Sequence, residues 1–257
     1  MKNRVSHSRG RVWGECLTKG ALKYRLGVPE QPAWALVGGK AFHNWVEACE
    51  LCRLGGDTPG LWSDYLDKAV ADEEQATGIT SADFRVTGKI KSRPDGENGW
   101  YWLTDLGPRM IELYTRYDWG EWRIAHTIPN FQGGFTAGIE YPLVLDNWHG
   151  YVDQIREDKH GNLLAVDVKT GKRMYRTTQL EEYGAAGKKL GLRIVYGGYY
   201  DARKGEFERK PLRWTVDMFD RYVAGRHWLQ DNAPEDVPNV GDHCSWCPVR
   251  DHCVWHG

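Results

Sequence analysis

No apolar run in this chain approaches the length a membrane-spanning helix needs, and no signal peptide opens it. The expectation is a cytoplasmic, reduced protein with no membrane partner. In that setting its six cysteines point to metal or core roles and away from disulfides. The chain also lacks an excess of either charge: 34 Lys and Arg face 35 Asp and Glu, a net charge of −1. Net charge therefore dictates no partner. There is no internal repeat and no low-complexity tract, which sets aside solenoid and linker architectures.

What is present is more telling. At 257 residues the chain is one large domain or two small ones, with enough length to bury a core. Its charge is unevenly spread. Residues 1–25 hold seven basic side chains against Glu15 alone, and residues 169–213 hold twelve against five acidic ones. Two basic zones on a neutral chain indicate a polyanion track on one face, although single basic residues are also ordinary solvated surface. Thirteen Trp and thirteen Tyr offer rings that stack on bases or pack in a core.

Apolar periodicity predicts a short helix from Ser6 to Leu26 containing Cys16. A second helix, opened by Gly38 and Gly39, runs from Lys40 to about Arg53. Phe42, Trp45, Val46, Cys49 and Cys52 share one stripe of it, so the two cysteines read as packing residues. His43, Glu47 and Glu50 lie on its other side. Residues 55–135 read as an accessory insertion. It has helices from Trp62 to about Ala76 and from Leu106 to about Tyr117, and two strands, Phe84 to Ile90 and Gly99 to Thr104, about a Pro94-Asp95-Gly96 turn. A strand from Phe135 to Leu145 carries Glu140. Further on, Thr178 to Glu181 has the form of a capping box with Thr178 as N-cap. Gln179 and Tyr183, four apart, share a face of the helix it opens. A strand from Arg193, a Lys204-Gly205 turn, a strand from Phe207 and a helix from Val216 to about Asp231 complete the pattern. This order is that of a mixed α/β sheet flanked by helices.

Residues 150–169 read as a hairpin. Tyr151 to Ile155 runs in, Asp158 to Asn162 turns, and Leu163 to Lys169 runs out. A turn centred near His160 sets Asp153 opposite Asp167, with Lys169 on the same face as Asp167. Two carboxylates that close repel unless a cation lies between them, which points to Mg²⁺ or Mn²⁺ with a lysine alongside. The competing reading is a charged edge-strand end, and a slip of one residue would send the aspartates to opposite faces.

The tail holds Cys244, Cys247 and Cys253 among His243, His252 and His256. Taken alone, this set suits structural zinc. With Cys16 as a fourth thiolate, zinc and an iron–sulfur cluster suit equally. Joining Cys16 to Cys244 closes a loop of more than two hundred residues. The length-dependent loop term for such a clip is roughly 5 kcal/mol.

Gly39 with His43, Gly150-Tyr-Val-Asp153, Asp167-Val-Lys169-Thr-Gly171 and Gln179-Leu-Glu-Glu-Tyr183 follow one another in that order. Together they resemble the motifs of the PD-(D/E)XK nuclease superfamily, in its RecB-type branch. The N-terminal cysteine and the Cys-x₂-Cys-x₅-Cys tail resemble its iron–sulfur subgroup, which includes the CRISPR-associated 4Fe–4S exonucleases and the AddB nuclease domain. The likeness covers roughly residues 1–45 and 138–257. It departs from the family pattern in lacking Pro-Asp before Asp-Val-Lys, and over residues 55–135.

The resemblance implies a restriction-endonuclease-like fold and a metal-dependent DNA exonuclease acting on single-stranded ends. His43, Asp153, Asp167 and the main-chain carbonyl of Val168 would hold Mg²⁺ or Mn²⁺, with Glu140 a looser candidate. Lys169 would orient or help deprotonate the attacking water. Gln179 and Tyr183 would sit beside the metal and hold the scissile phosphate or the Lys169 region. Cys16, Cys244, Cys247 and Cys253 would hold a 4Fe–4S cluster of architectural role that clips the two ends of one nuclease domain. The process implied is recombination, repair, phage DNA processing or CRISPR adaptation, in a bacterial cell or from a phage, with a helicase or CRISPR-adaptation protein as possible partner. The alternatives are a nuclease-fold DNA-binding or adaptor protein that does not cleave, against which Asp153, Asp167 and Lys169 argue, and a zinc-stabilised endonuclease of the same fold.

Overall fold

The computed structural model describes residues 4–86, 99, 101–130, 133–171, 177–235, 237–241, 244, 247–253 and 255. The chain opens with α1 (His7–Glu15) and α2 (Leu17–Tyr24), where the periodicity predicts one helix. Cys16 divides them. Its backbone is extended, with φ −161° and ψ 124°, and its Sγ accepts the Lys19 N–H at 3.5 Å. The sulfur thus takes the place of a side-chain oxygen at the N-cap of α2.

Next come α3 (Trp34–Arg53) and α4 (Trp62–Thr77). Helix α3 starts earlier than expected, and Gly38 and Gly39 lie inside it rather than at its start. Close packing outweighs their low helix propensity. A Cβ on Gly38 would sit 2.1 Å from the Trp102 indole, and one on Gly39 would sit 3.0 Å from Thr170 Oγ1. Residues Trp102–Leu106 form a π-helical turn that leads into α5 (Gly107–Arg116). The strand expected from Gly99 to Thr104 is therefore helical where it is described, and the Pro94-Asp95-Gly96 turn lies outside the described residues.

Short strands β1 (Arg123–Ile124), β2 (Ile128–Pro129) and β3 (Phe135–Thr136) precede β4 (Ile139–Val144), β5 (His149–Glu157) and β6 (Leu163–Lys169). Helix α6 (Thr178–Lys189) crosses to β7 (Ile194–Asp201), followed by β8 (Glu206–Pro211) and α7 (Val216–Asn232). The main sheet runs β1-β5-β6-β7-β8, with β4 also on β5. Only β6 and β7 pair in parallel among these strands, and α6 is the connection that parallel pairing requires. The result is a mixed α/β sheet flanked by helices, the restriction-endonuclease-like architecture.

Each face of the sheet has its own core. Leu164, Val166, Val168 and Tyr200 pack beneath α3, α4 and α5 with Trp62, Trp102, Met110 and Tyr114. Ile155, Ala165 and Ile194 pack beneath α6 and α7 with Leu180, Tyr183, Phe219 and Val223. Among the described residues no helix is long and apolar enough to cross a membrane.

Two polar expectations change. Glu50 is not on the outer side of α3 but buried against the sheet, where Arg156 Nη2 donates to its Oε1 at 2.9 Å. Tyr114 hydroxyl and Arg53 Nη1 donate to the same oxygen. The capping box also does not form. Thr177 is the N-cap of α6, and the Glu181 carboxylate instead accepts the Arg213 and Trp214 N–H groups at 2.7 and 2.8 Å. Tertiary donors outcompete the local one because they fasten the β8–α7 connection to α6.

Candidate active site

Strand β6 builds the first half of the site. It is buried on both faces between its first and last residues, which explains its apolar run. Leu164, Val166 and Val168 face α3, so Ala165, Asp167 and Lys169 turn toward α6. Asp167 is 2% exposed. Its Oδ1 accepts from Gln179 Nε2 at 2.6 Å and from the Tyr183 hydroxyl at 3.4 Å. Its Oδ2 forms an ion pair with the Lys169 ammonium. Lys169 Nζ also donates to Gln179 Oε1 at 3.1 Å, and Gln179 Nε2 to the Tyr183 oxygen at 2.7 Å. The four-residue spacing of Gln179 and Tyr183 is what lets one side of α6 serve both.

Helix α3 and strands β4 and β5 build the second half. Gly39 admits the end of β6, and one turn later His43 Nδ1 lies 3.5 Å from Asp153 Oδ2. Gly150 leaves no room for a side chain, since a Cβ would meet Trp148 at 2.5 Å and Tyr183 at 3.2 Å. That close approach brings α6 down onto β5 near Asp153. The β5–β6 ladder runs from Glu157↔Leu163 to Gln154↔Val166, the register expected for the hairpin. Regular pairing ends there, one pair before Asp153 and Asp167. Asp153 Oδ2 accepts the Val168 N–H at 2.6 Å instead.

Glu140 completes this half. Its φ of 44° is the one left-handed non-glycine conformation among the described residues. Such a backbone is strained by roughly 1–3 kcal/mol and marks a position held by its surroundings. It interrupts the β4–β5 ladder between Ile139↔Gln154 and Tyr141↔Val152. His43, Glu140 and Asp153 each place one donor atom within 4.8 Å of the others. One imidazole nitrogen with carboxylate oxygens is a donor set that fits a hard divalent cation such as Mg²⁺ or Mn²⁺.

The electrostatics agree with that donor chemistry. Burial opposes a charge on His43, yet Asp153, with Asp167 and Glu140, lifts its pKa to about 9. Burial and then Asp153 push Glu140 up to about 7. Asp167 is also raised, by burial and by Asp153, against the pull of Lys169. Asp153 moves the other way, because His43, Lys169 and the Val168 N–H together outweigh its burial. Burial and Asp167 raise Tyr183 well above its ordinary value, so its hydroxyl stays a donor. A crowded carboxylate that holds a proton near neutral pH, as Glu140 does, is a group a divalent cation would deprotonate.

Sequence reasoning passed over Tyr199 here. It pairs with Asp167 across the parallel β6–β7 ladder, and its ring lies 5.4 Å from Lys169 Nζ. Its only sequence signal is membership in an aromatic strand.

Cys16, Cys244, Cys247 and Cys253 line one cavity together with Leu22, Val240 and Val249. Burial pushes the Cys247 thiol up, and Cys16 and Cys253 beside it add to the shift. Among the described residues, no three of these sulfurs lie within 4.8 Å of one another. The chain ends also meet through other contacts: Arg25 donates to the Gln230 and Ala233 carbonyls, and Asn239 Nδ2 to the Glu15 carbonyl at 2.9 Å. Cys49 is instead buried in the core beneath α3, and His243 and His256 lie outside the described residues.

No curated protein matches the chain by sequence. The family comparison does, and its match spans residues 4–254. That span takes in both halves of the site, the sheet that carries them and all four clustered cysteines, and on it the chain belongs to the PD-(D/E)XK nuclease superfamily.

Proposed function

We propose that this nuclease is a metal-dependent exodeoxyribonuclease of the RecB-type branch that acts on single-stranded ends, with Asp153, Asp167 and Lys169 at its centre. The family supplies the coarse part, a hydrolase that cuts DNA with a divalent metal. The observation that supports a metal-dependent centre at these residues is the convergence of His43, Glu140 and Asp153 beside the Asp167–Lys169 pair; the exonuclease mode and the single-stranded preference rest on the resemblance. In this reading His43, Asp153, Asp167 and the Val168 carbonyl hold the cation, with Glu140 joining them. When bound, Mg²⁺ or Mn²⁺ lowers the pKa of water and neutralises phosphate oxygens.

The chain's own groups do the rest. Lys169, steadied by Gln179 and Asp167, orients the attacking water and meets charge developing on the phosphate. Gln179 and Tyr183 fix where Asp167 points. The basic zones guide the strand by its backbone, so binding weakens steeply with salt. Of these, Lys172, Arg173 and Arg176 lie outside the described residues.

The four cysteines hold a 4Fe–4S cluster in this reading. Their common lining of one cavity supports a single centre that gathers all four thiolates. The cluster clips both ends of a single nuclease domain, to whose core residues 55–135 contribute Trp62, Trp102, Met110 and Tyr114. A helicase or CRISPR-adaptation protein would supply the DNA end. Protein purified without oxygen should be brown, with iron and acid-labile sulfide in equal amounts. One zinc per chain and no sulfide would replace the cluster with a zinc site.

The metal site predicts a pH dependence. A cation needs the neutral imidazole, and His43 keeps its proton up to about 9. Mn²⁺ affinity should therefore rise by about tenfold per pH unit from pH 7 toward 9, as one proton leaves. Below about 7 the slope should steepen as Glu140 also holds a proton. Titration calorimetry measures this directly. His43→Ala should flatten the upper slope, and a flat wild-type profile would remove His43 from the ligand set.

A further inference from the structure

The nuclease chemistry does not use the buried carboxylate of Glu182. Glu182 lies on α6 between the two residues that reach Asp167, and it is 0% exposed. A buried carboxylate persists only where donors satisfy it. Its neighbours come from three separate elements. His7 Nδ1 of α1 lies 2.6 Å from its Oε1. Trp148 Nε1, just before β5, donates to its Oε2 at 3.0 Å. The Tyr222 side chain of α7 lies beside it, and Glu182 adds to the upward pKa shift that burial gives the tyrosine.

These contacts make Glu182 a junction. Tyr183, the next residue, projects toward Asp167, and Gln179 is one turn earlier. Trp148 fills the space that Gly150 leaves open beneath Tyr183. A shift of α6 along or about its axis would move Gln179 and Tyr183 off the Asp167 oxygen. On the other side, His7 sits on the helix that ends immediately before Cys16. Helix α1 is itself held to α7, where Arg226 Nη1 donates to the Gly10 carbonyl at 2.7 Å.

We infer that Glu182 is a positioning residue: through His7 and Trp148 it sets α6 so that Gln179 and Tyr183 hold Asp167 in its working orientation. The inference rests on the proposed nuclease reading for its activity readout, and on the fold alone for its structural one. It also makes α1 a strut between the cysteine cavity and the active site. Nothing about the role requires Glu182 to touch DNA or metal.

The test is a double-mutant cycle with His7→Ala, Glu182→Ala and both together. Turnover and KM are measured on end-labelled single-stranded DNA with Mn²⁺, and hydrogen exchange is followed over residues 178–189. Each single variant should lower kcat at least tenfold with KM within about threefold, and should speed exchange in the first turn of α6. The double variant should be no worse than the poorer single one, because both remove the same link. Glu182→Gln can still accept from Trp148 and donate to His7. It should bring kcat back to within about threefold of wild type and restore slow exchange. If Glu182→Ala does not fold, His7→Ala and Glu182→Gln carry the test. Unchanged kcat and exchange in folded His7→Ala, or losses that multiply in the double variant, would overturn the inference. A wild-type protein that cuts no DNA with any divalent metal counts against the nuclease reading. The exchange data then decide the role of Glu182 by themselves.

Discussion

Asp167→Asn should abolish DNA cleavage and leave the protein no less stable, and more stable when metal is chelated. The loss follows from geometry. Asp167 is the acceptor on which Gln179, Tyr183 and Lys169 converge. Asparagine keeps the size and one acceptor oxygen but removes the charge that would bind the cation and hold the Lys169 ammonium. Losing an electrostatic element of this kind costs about 10³-fold or more in turnover. DNA binding should stay within a few-fold, because the basic tracts that meet the backbone are untouched. The stability half follows from protonation. Burial raises the Asp167 pKa above its unfolded value. A group raised in this way favours the fold fully below its unfolded pKa, and that contribution is lost as pH rises through the folded value. At neutral pH its charge is thus a burden on the metal-free fold, which asparagine does not carry. Thermal unfolding in EDTA should show a midpoint at or above wild type. Retained cleavage would place the site elsewhere, and a large drop in the midpoint would contradict the electrostatic account.

Arg156→Leu should cost about 3–5 kcal/mol of stability, the range for stripping one partner from a buried ion pair. Arg156 is 3% exposed and Glu50 1%. The guanidinium lies 3.7 Å from the Trp119 ring centre and donates to Glu50 and, at 2.9 Å, to Gln154 Oε1. Without it Glu50 keeps Arg53 and Tyr114, and neither restores a fully buried counter-charge. Glu50→Leu strands the guanidinium and should cost a similar amount. The paired variant Glu50→Leu with Arg156→Leu should return to within about 2 kcal/mol of wild type, since apolar replacement of a whole buried pair is close to neutral. Urea unfolding midpoints measure all three. The pair also matters to the site. It joins α3, which carries His43, to β5, which carries Asp153, so a folded single variant should bind Mn²⁺ more weakly as well. Single variants within about 1 kcal/mol of wild type would mean the pair is incidental.

Much of the site was readable in the sequence because its parts are local. Asp153 and Asp167 flank one hairpin, and Lys169, Gln179 and Tyr183 follow at strand and helix spacings. The hairpin register held because the short Asp158–Asn162 turn fixes it, closed by the Asp158 N–H donating to the Asn162 carbonyl at 3.1 Å. What stayed hidden depends on tertiary partners. Helix α3 looked as if it began only after Gly38 and Gly39 because propensity knows nothing of Trp102 and Thr170. Glu50 looked solvated because its partner Arg156 lies more than a hundred residues away. Thr178 looked like a cap because the Arg213 and Trp214 N–H groups that claim Glu181 are equally remote. Glu140 shows the same limit at the site itself. Nothing in a β-strand pattern announces a left-handed backbone, yet that turn brings its carboxylate to His43 and Asp153. Cys16 was legible as a member of the cysteine set but not as the break between two helices.

The central claim is that these residues form a metal-dependent exonuclease, and one assay addresses it most directly. Wild-type protein is incubated with Mn²⁺ and single-stranded DNA labelled at its 5′ or 3′ end, alongside a circular strand of the same sequence and an EDTA control. The linear strands should shorten from one end into short products, the circle should survive, and EDTA should stop the reaction. Cutting of the circle would make the protein an endonuclease. No cleavage of any strand with any divalent metal would contradict the account outright.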